Sequence, residues 1–318
     1  MRAAILDDYQ NAALVSAPWD RLGPQVQLTI FDDTLKDETS IAQRLRDFEI
    51  IVAMRERTPF TGSLLEQLPE LRLLVTTGMR NAAIDLAAAA RRNILVCGTD
   101  LLGYPTAELA WGLIIALARN IASEDRGMRD GRWQTTLGAG LRQKTLGILG
   151  LGKLGGEVAS FAKAFQMKVI AWSPNLDEER AQRLSVQYVG KDELFRAADF
   201  LTIHMVLSAR SRGLVGEREL SLMKPTAYLI NTSRGPIVDE DALLDILDRR
   251  GIAGAALDVY AEEPLPPDHR LRRLDNVLMT PHLGYVTAEN YRLAYSQVVE
   301  DILAFLAGKP IRLLTAAT

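Results

Sequence analysis

The sequence predicts an α/β protein of two domains, and three observations lead to that prediction. Short apolar runs alternate with segments whose apolar residues recur at helical spacing, first up to about residue 97 and again from Lys144 onward. Between these two parts the alternation breaks at residues 100–105. A length of 318 residues, with 48% apolar and 24% charged residues, is typical of a globular protein with two domains and a substantial core.

The first part of the chain predicts a small α/β unit with its own sheet. Its predicted strands are residues 3–6, 27–31, 50–53, 73–77 and 94–97, with helical patterns between them that include residues 41–45, 64–68 and 84–91. We place the domain crossing before a helix predicted at residues 106–121. The last helix, predicted at residues 290–306, should return to the first domain and make it discontinuous. The predicted domains are therefore residues 1–99 with 286–318, and residues 100–285.

The second domain is organised around a glycine-rich stretch. A short apolar run at residues 145–149 leads into Gly150, Gly152 and Gly155, and an amphipathic helix follows at once. Gly150 permits a tight turn, Gly152 lets backbone N–H groups approach a pyrophosphate, and Gly155 allows the helix to pack closely on the strand. A turn that only packs a helix on a sheet is the alternative. A second apolar strand at residues 169–172 favours a Rossmann-type, dinucleotide-binding sheet.

Three charged residues come just after strands of this second sheet, whose predicted strands are residues 146–149, 169–172, 200–204, 227–231, 253–259 and 277–280. Arg234 follows the fourth strand, Glu263 the fifth and His282 the sixth. Ligands of an open parallel sheet bind beyond the carboxyl ends of its strands, so we expect all three side chains to face the cofactor crevice.

These residue types suit one reaction. A guanidinium can hold a carboxylate and polarise an adjacent carbonyl, and an imidazole can exchange a proton with the carbonyl oxygen. A carboxylate beside the imidazole fixes its tautomer, and a nicotinamide supplies hydride. Each residue alone could equally be a surface ion or a loop residue. Together they predict an oxidoreductase acting on a small oxo or hydroxy acid.

The composition of the chain indicates which kinds of partner and which cellular compartment to expect. A formal charge of −3 and scattered basic residues argue against a nucleic-acid or membrane surface, so small molecules are the expected partners. Cys97 is the only cysteine, which rules out an internal disulfide and a cysteine metal cluster, and a reducing cytoplasm fits. We expect no secretory leader, because a strand begins near residue 3, and no membrane anchor, because the most apolar run, residues 109–118, is too short.

Several motifs in this order resemble the D-isomer-specific 2-hydroxyacid dehydrogenase family, which includes phosphoglycerate, glyoxylate and hydroxypyruvate dehydrogenases or reductases. The motifs are residues 147–155, Met223-Lys224-Pro225, residues 231–235, residues 257–259 with Glu263-Pro264, and Thr280-Pro281-His282. The resemblance covers nearly the whole chain. It implies a homodimeric NAD- or NADP-dependent enzyme with a Rossmann-type domain, a smaller flavodoxin-like substrate domain, no metal, and Arg234, Glu263 and His282 as catalytic residues.

The resemblance also implies binding residues. For the cofactor they are Gly150, Gly152, Lys153, Leu154, Gly155, Ser173, Thr106, Thr232, Asp258 and Gly284, with Thr232 and Asp258 near the nicotinamide amide. For the substrate carboxylate they are Thr77, Gly78, Met79 and Arg55. The family more often has a glycine where this chain has Arg80. Whether Arg55, Arg57 or Arg80 contacts substrate stays open, since Arg55 and Arg57 could equally pair with Glu56 at the surface.

Cofactor preference is open as well. NAD-selective relatives carry a carboxylate after the second strand, where this chain has Trp172-Ser173-Pro174-Asn175. No arginine or lysine stands there to attract a 2′-phosphate. The acid turned over and the physiological direction are also open. A dinucleotide-sensing protein of the corepressor kind is the alternative function, and a hydrolase or transferase with a permanently bound nucleotide would need motifs that the sequence lacks.

Overall fold

The structure is a computed structural model that describes residues 1–315, and the chain folds into two compact units. The first unit comprises Met1–Leu102 and the chain from Val286 onward, and the second comprises Gly103–Tyr285. Of the expected domain range 286–318, the last three residues lie outside the described residues. The assignment of substrate to the first unit and of cofactor to the second stays a prediction.

The sheet of the first unit has five strands, β1 (Arg2–Ile5), β2 (Gln27–Ile30), β3 (Ile50–Ala53), β4 (Leu73–Thr76) and β5 (Leu95–Gly98). All pair in parallel, in the order β2-β1-β3-β4-β5. Strands β3 and β4 are buried along their whole length, as continuous apolar runs in a parallel sheet require. The helices between the strands are α1 (Ala13–Ser16), α2 (Glu38–Leu45), α3 (Gly62–Glu66) and α4 (Leu86–Arg91).

The sheet of the second unit has seven parallel strands. The elements in chain order are α5 (Tyr104–Ala118), α6 (Ile121–Arg129), β6 (Thr145–Leu149), α7 (Lys153–Ala164), β7 (Lys168–Trp172), α8 (Glu178–Arg183), β8 (Gln187–Tyr188), α9 (Lys191–Ala197), β9 (Phe200–Ile203), α10 (Glu217–Ser221), β10 (Tyr228–Asn231), α11 (Glu240–Asp248), β11 (Gly254–Leu257) and β12 (Val277–Met279). The strand order is β12-β11-β10-β9-β6-β7-β8.

Helices cover both faces of this second sheet. Apolar residues of α5, α7 and α8 pack on one face, and those of α9, α10 and α11 on the other. The predicted Rossmann-type, doubly wound α/β class is confirmed.

The chain returns to the first unit in a final helix, α12 (Ala288–Leu306). Its buried face includes Tyr295, Val298 and Ile302, and the Tyr295 ring lies 5.9 Å from that of Trp19. Beyond the helix, the Leu314 amide donates to the Val96 carbonyl at 2.8 Å, so the end of the described chain lies beside β5.

The helix predicted at residues 106–121 ends at Ala118, and a second helix, α6, begins at Ile121. Asn120, which separates α5 from α6, has a left-handed backbone with φ of 52°. One left-handed residue changes the helix direction without removing apolar residues from the sequence, so the pattern did not reveal it. Within residues 1–315, no helix combines the length and the apolar character needed to cross a membrane.

The second sheet has one strand more than the six predicted. The additional strand, β8, consists of Gln187 and Tyr188 at the edge of the sheet, and both residues are exposed. An exposed strand of two residues forms no apolar run, so the sequence gives no signal for it.

Candidate active site

The glycine-rich turn joins β6 to the first turn of α7. Gly150 has φ of +106°, a conformation that residues with a Cβ rarely adopt. A Cβ on Gly155 would collide with the carbonyl oxygen of Gly150, whereas a Cβ on Gly152 would meet no atom of the described chain within 4 Å. Lys153 and Leu154 begin the helix directly above this space. Close packing below the turn and open space at the helix N-terminus fit a pyrophosphate.

Two buried polar atoms beyond strand ends lack a protein partner among residues 1–315. They are the hydroxyl oxygen of Thr232, after β10, and Nδ1 of His204, after β9. Burial lowers the pKa of His204 to about 4, so its ring is neutral, and its Nε2 lies 3.0 Å from the Thr202 hydroxyl. Buried polar atoms are normally paired, and a bound dinucleotide has the hydroxyl and amide groups to pair them. These residues therefore fit a nicotinamide cofactor.

Asp258, which the resemblance places near the nicotinamide amide, is engaged by the loop that carries His282. Its carboxylate accepts hydrogen bonds from the Thr280 hydroxyl at 2.6 Å, the Leu283 amide at 2.7 Å and the Gly284 amide at 2.9 Å. Burial raises the pKa of Asp258, although these three donors oppose the shift. The Gly284 carbonyl accepts from the Thr106 hydroxyl at 2.8 Å, so two predicted cofactor residues lie in contact.

Glu263 and His282 are in hydrogen-bond contact. Nδ1 of His282 lies 2.6 Å from a carboxylate oxygen of Glu263, and their side chains are 23% and 34% exposed, His282 being the more buried. The two residues come together because β11 and β12 are neighbouring parallel strands, whose carboxyl ends meet at one edge. Burial alone would raise the pKa of Glu263. The hydrogen bond and charge of His282, with smaller contributions from the Tyr260 amide and Arg234, lower that pKa instead.

Arg234 lies in a tight turn after β10. The side chain of Asn231, the last residue of the strand, donates to the Arg234 carbonyl at 3.0 Å and accepts from the Ser233 amide at 3.0 Å. The Ser233 hydroxyl donates to the carbonyl of Ile203 in the next strand at 2.7 Å. Asn231 and Ser233 therefore fix the backbone of Arg234, and the partly exposed guanidinium is close enough to Glu263 to lower that carboxyl's pKa.

The predicted substrate residues Thr77, Gly78, Met79 and Arg55 lie together in the first unit. The Arg55 amide donates to the Thr77 hydroxyl at 3.0 Å, and its guanidinium donates to the Thr77 carbonyl at 3.3 Å. Gly78 has φ of +117°, and a Cβ there would collide with the Arg55 guanidinium. Arg55 therefore covers the Gly78 backbone. Met79 is 41% exposed, and Arg80 is also exposed.

The position that we expect to select the cofactor contains no carboxylate side chain. Ser173 follows β7 and is half-buried, and its carbonyl accepts from the Leu176 amide at 3.1 Å. The arginines further along belong to α8, where Arg183 pairs with Glu179 at 3.3 Å. Within residues 1–315, no group of three or more His, Cys, Asp or Glu side chains is placed to bind a metal ion.

Two residues of the site were not singled out from the sequence. The Asn231 side chain donates a hydrogen bond to the Arg234 carbonyl. Tyr260 contacts Glu263 through its amide and the His282 loop through its hydroxyl. Asn231 stands inside a motif that carries the resemblance, and Tyr260 lies between the two parts of another, residues 257–259 and Glu263-Pro264. Their proximity in sequence was a signal, but their contacts depend on the path of two loops.

Comparison with known proteins identifies the family. The family model of the NAD-binding domain of D-isomer-specific 2-hydroxyacid dehydrogenases matches residues 111–284. The chain belongs to this family. A glyoxylate reductase from Aeropyrum pernix is 41% identical over 256 residues, which cover 77% of this chain and 76% of the relative.

Solved structures of similar proteins agree with this assignment. A phosphoglycerate oxidoreductase from Vibrio cholerae is 37% identical with a TM-score of 0.92, covering 97% of this dehydrogenase and 99% of that chain. An acyclic imino acid reductase in complex with NADPH and D-Arg is 28% identical with a TM-score of 0.74, covering 99% and 100%.

The predicted reaction class is confirmed. This 2-hydroxyacid dehydrogenase is an NAD(P)-dependent oxidoreductase that transfers hydride between a nicotinamide cofactor and a 2-oxo or D-2-hydroxy acid. The alternative of a dinucleotide-sensing, corepressor-like protein finds no support among these relatives.

Proposed function

We propose that this dehydrogenase reduces a small 2-oxo acid to the D-2-hydroxy acid, with Arg234, Glu263 and His282 as its catalytic residues. The observation that carries the proposal is the 2.6 Å contact between Nδ1 of His282 and Glu263. A carboxylate on Nδ1 leaves Nε2 as the nitrogen that exchanges a proton with substrate. Relatives named glyoxylate reductase support glyoxylate as the first acid to test.

Each catalytic residue has one task in reduction. The Arg234 guanidinium binds the substrate carboxylate and polarises the oxo group. His282 gives a proton to the oxo oxygen, and Glu263 stabilises the positively charged imidazole before transfer. NAD(P)H, when bound, supplies the hydride. Because the pKa of Glu263 is lowered, its carboxylate is charged at neutral pH.

The cofactor residues are proposed on the site described above. Gly150, Gly152 and Gly155 with Lys153 and Leu154 would hold the pyrophosphate at the start of α7. The remaining proposed contacts are Thr106, Ser173, Thr232, Asp258 and Gly284. Since Ser173 stands where NAD-selective relatives have a carboxylate, we expect NADPH not to be repelled.

We assign carboxylate binding also to the loop of the first unit that contains Thr77, Gly78 and Met79. Gly78 has no side chain, and the Arg55 guanidinium adds positive charge directly beside it. Both features favour an anion. The substrate role of the first unit and the cofactor role of the second follow from these two assignments.

A cofactor-oxidation screen tests the proposal. Glyoxylate, hydroxypyruvate, pyruvate and phenylpyruvate are each offered with NADH and with NADPH, and the loss of reduced cofactor is followed. We expect turnover of at least one small acid, and a loss of roughly two to four orders of magnitude in His282→Ala, the usual range for removing a general acid. Retained activity in His282→Ala would overturn the assignment.

His269→Ala is the matched control for this screen. His269 also lies near a carboxylate, with Nε2 at 3.4 Å from Glu240, but it stands outside the proposed site. Its replacement should leave every rate unchanged. Binding of cofactor without turnover of any 2-oxo acid would favour a dinucleotide-sensing protein.

We further propose a homodimer in the cytoplasm. The family resemblance implies the dimer, and exposed apolar side chains in one segment of the second unit supply a surface for it: Ile121, Met128, Trp133 and Leu137. The compartment is proposed because the sequence contains a single cysteine, Cys97, which is buried and reduced.

A further inference from the structure

Tyr260 contacts the loops of both members of the Glu263–His282 pair. Its amide donates to Oε1 of Glu263 at 3.0 Å, while Oε2 of the same carboxylate meets His282. At the other end of the residue, the hydroxyl lies 2.9 Å from the Thr280 carbonyl and 3.1 Å from the Leu257 carbonyl. One nearly buried residue, 7% exposed, therefore connects the Glu263 carboxylate to the exit of β12.

The hydroxyl contact lies at the base of the turn that presents His282. The Thr280 carbonyl that faces Tyr260 also accepts the His282 amide at 3.1 Å. His282 itself has φ of +56°, so its direction depends on this turn being held. A shift of the Thr280 carbonyl would move the His282 ring relative to Glu263.

The Tyr260 hydroxyl is not needed to pair the carbonyl groups of Leu257 and Thr280. The Leu257 carbonyl already accepts the Thr280 amide at 2.9 Å, and the Thr280 carbonyl already accepts the His282 amide. A phenylalanine would fill the same space and leave both carbonyls paired. What the hydroxyl adds is a fixed distance between Tyr260 and the His282 turn.

The turn that carries Arg234 also contacts Tyr260, through the neighbouring residue Gly235. A Cβ on Gly235 would collide with the carbonyl carbon and oxygen of Tyr260, so the two backbones lie in direct contact. Only glycine allows this approach. The Arg234 turn, Glu263 and the His282 turn thus all meet Tyr260.

We propose that Tyr260 is a positioning residue whose hydroxyl holds His282 in line with Glu263 for proton transfer. The inference rests on the proposed roles of Glu263 and His282. Burial, with the nearby charges of Asp258 and Glu263, raises the pKa of Tyr260, so the hydroxyl keeps its proton and donates throughout the working range.

The test is Tyr260→Phe, which keeps the ring, the amide and the contact with Gly235. We expect kcat for reduction to fall about five- to tenfold, the scale of one lost hydrogen bond, with KM for the reduced cofactor changed less than about twofold. The falling limb of the pH profile should move to lower pH, because an imidazole displaced from Glu263 is stabilised less in its protonated form. A purely structural role would lower Tm without moving this limb.

Two further variants make the outcome decisive. Tyr228→Phe is the matched control: Tyr228 begins β10, at the opposite end of the strand from the site, and its replacement should change neither kcat nor the limb. In a Glu263→Gln background, Tyr260→Phe should lower kcat for reduction by less than about twofold, since no charged pair is left to align. The inference would be overturned if the losses of kcat in the two variants were additive, or if the falling limb of the pH profile stayed in place in Tyr260→Phe. If Glu263→Gln itself leaves the limb unmoved, the proposed roles of the pair fail instead.

Discussion

At the scale of single residues, the site contains two carboxyl groups, of Glu263 and Asp258, whose pKa values burial alone would raise. Glu263 is lowered in pKa against the effect of burial, because His282, the Tyr260 amide and Arg234 surround it. Asp258, fully buried, has a raised pKa even though three donors bind it. Two carboxyl groups of one motif thus have pKa values that their surroundings shift in opposite directions.

The lowered pKa of Glu263 leads to a pH prediction. Glu263→Gln removes the charge beside His282, so protonated imidazole is stabilised less. The falling limb of kcat/KM for reduction should move to lower pH by roughly one unit, the scale expected for loss of an adjacent opposite charge. Rate should be recoverable in acid. Steady-state rates from pH 5 to pH 9 measure the shift.

The neighbouring residue supplies the control for this prediction. Glu262→Gln makes the same change of charge at an exposed position one residue away and should leave the limb in place. An identical shift in both variants would mean that the limb reports general electrostatics. No shift in either would show that Glu263 does not tune proton transfer.

The sequence predicted the meeting of Glu263 and His282, because both follow neighbouring strands of one parallel sheet. The contacts of Tyr260 and Asn231 were beyond prediction. They depend on where the loops after β10 and β11 bend, and no spacing rule gives the direction of a side chain in an irregular loop.

At the scale of elements, buried apolar strands were predictable and exposed or broken elements were not. Continuous apolar runs marked β3, β4, β9 and β11. The exposed strand β8 and the division between α5 and α6 left no apolar signature. The C-terminal segment adds a further feature: Nε of Arg312 lies 3.0 Å from the carboxyl group of Asp301, a fully buried residue of α12.

Asp301 should make the stability of the first unit depend on pH. Burial raises its pKa from 3.8 to about 7, against the opposing charge of Arg312, and Glu300 adds to the rise. Between these two values the folded chain holds a proton that the unfolded chain has lost. Stability therefore falls as pH rises from about 4 to about 7, and the loss persists above that range.

Asp301→Asn should remove this dependence. At pH 8 the variant should be more stable than the natural protein by roughly 1 to 4 kcal/mol, since one pKa unit corresponds to about 1.4 kcal/mol, and the difference should vanish near pH 4. Urea unfolding across this range measures it. Glu300→Gln, which removes the half-exposed partner of the same arginine, should show no such gain. A variant less stable at every pH would show that Asp301 is ionised and stabilising.

At the scale of the whole molecule, composition and alternation were enough to predict two α/β units, because each sheet needs its own apolar strands and helical faces. Assembly is a different matter, since it depends on which apolar residues stay exposed after folding. Leu137 is 97% exposed and Trp133 is 73% exposed, and both follow α6. Side chains of this kind are costly to leave in water.

We expect these side chains to be covered by a second copy of the chain. Leu137→Glu combined with Trp133→Glu would bury two unpaired carboxylates in an apolar interface, a cost of several kcal/mol that should dissociate the dimer. Light scattering on the purified protein should then give twice the chain mass for the natural form and the single-chain mass for the variant. Val15→Glu, at a position 85% exposed in the first unit, places the same charge on an exposed apolar site and should leave the mass unchanged. A natural protein of single-chain mass, or a variant that remains dimeric, would contradict the proposed interface.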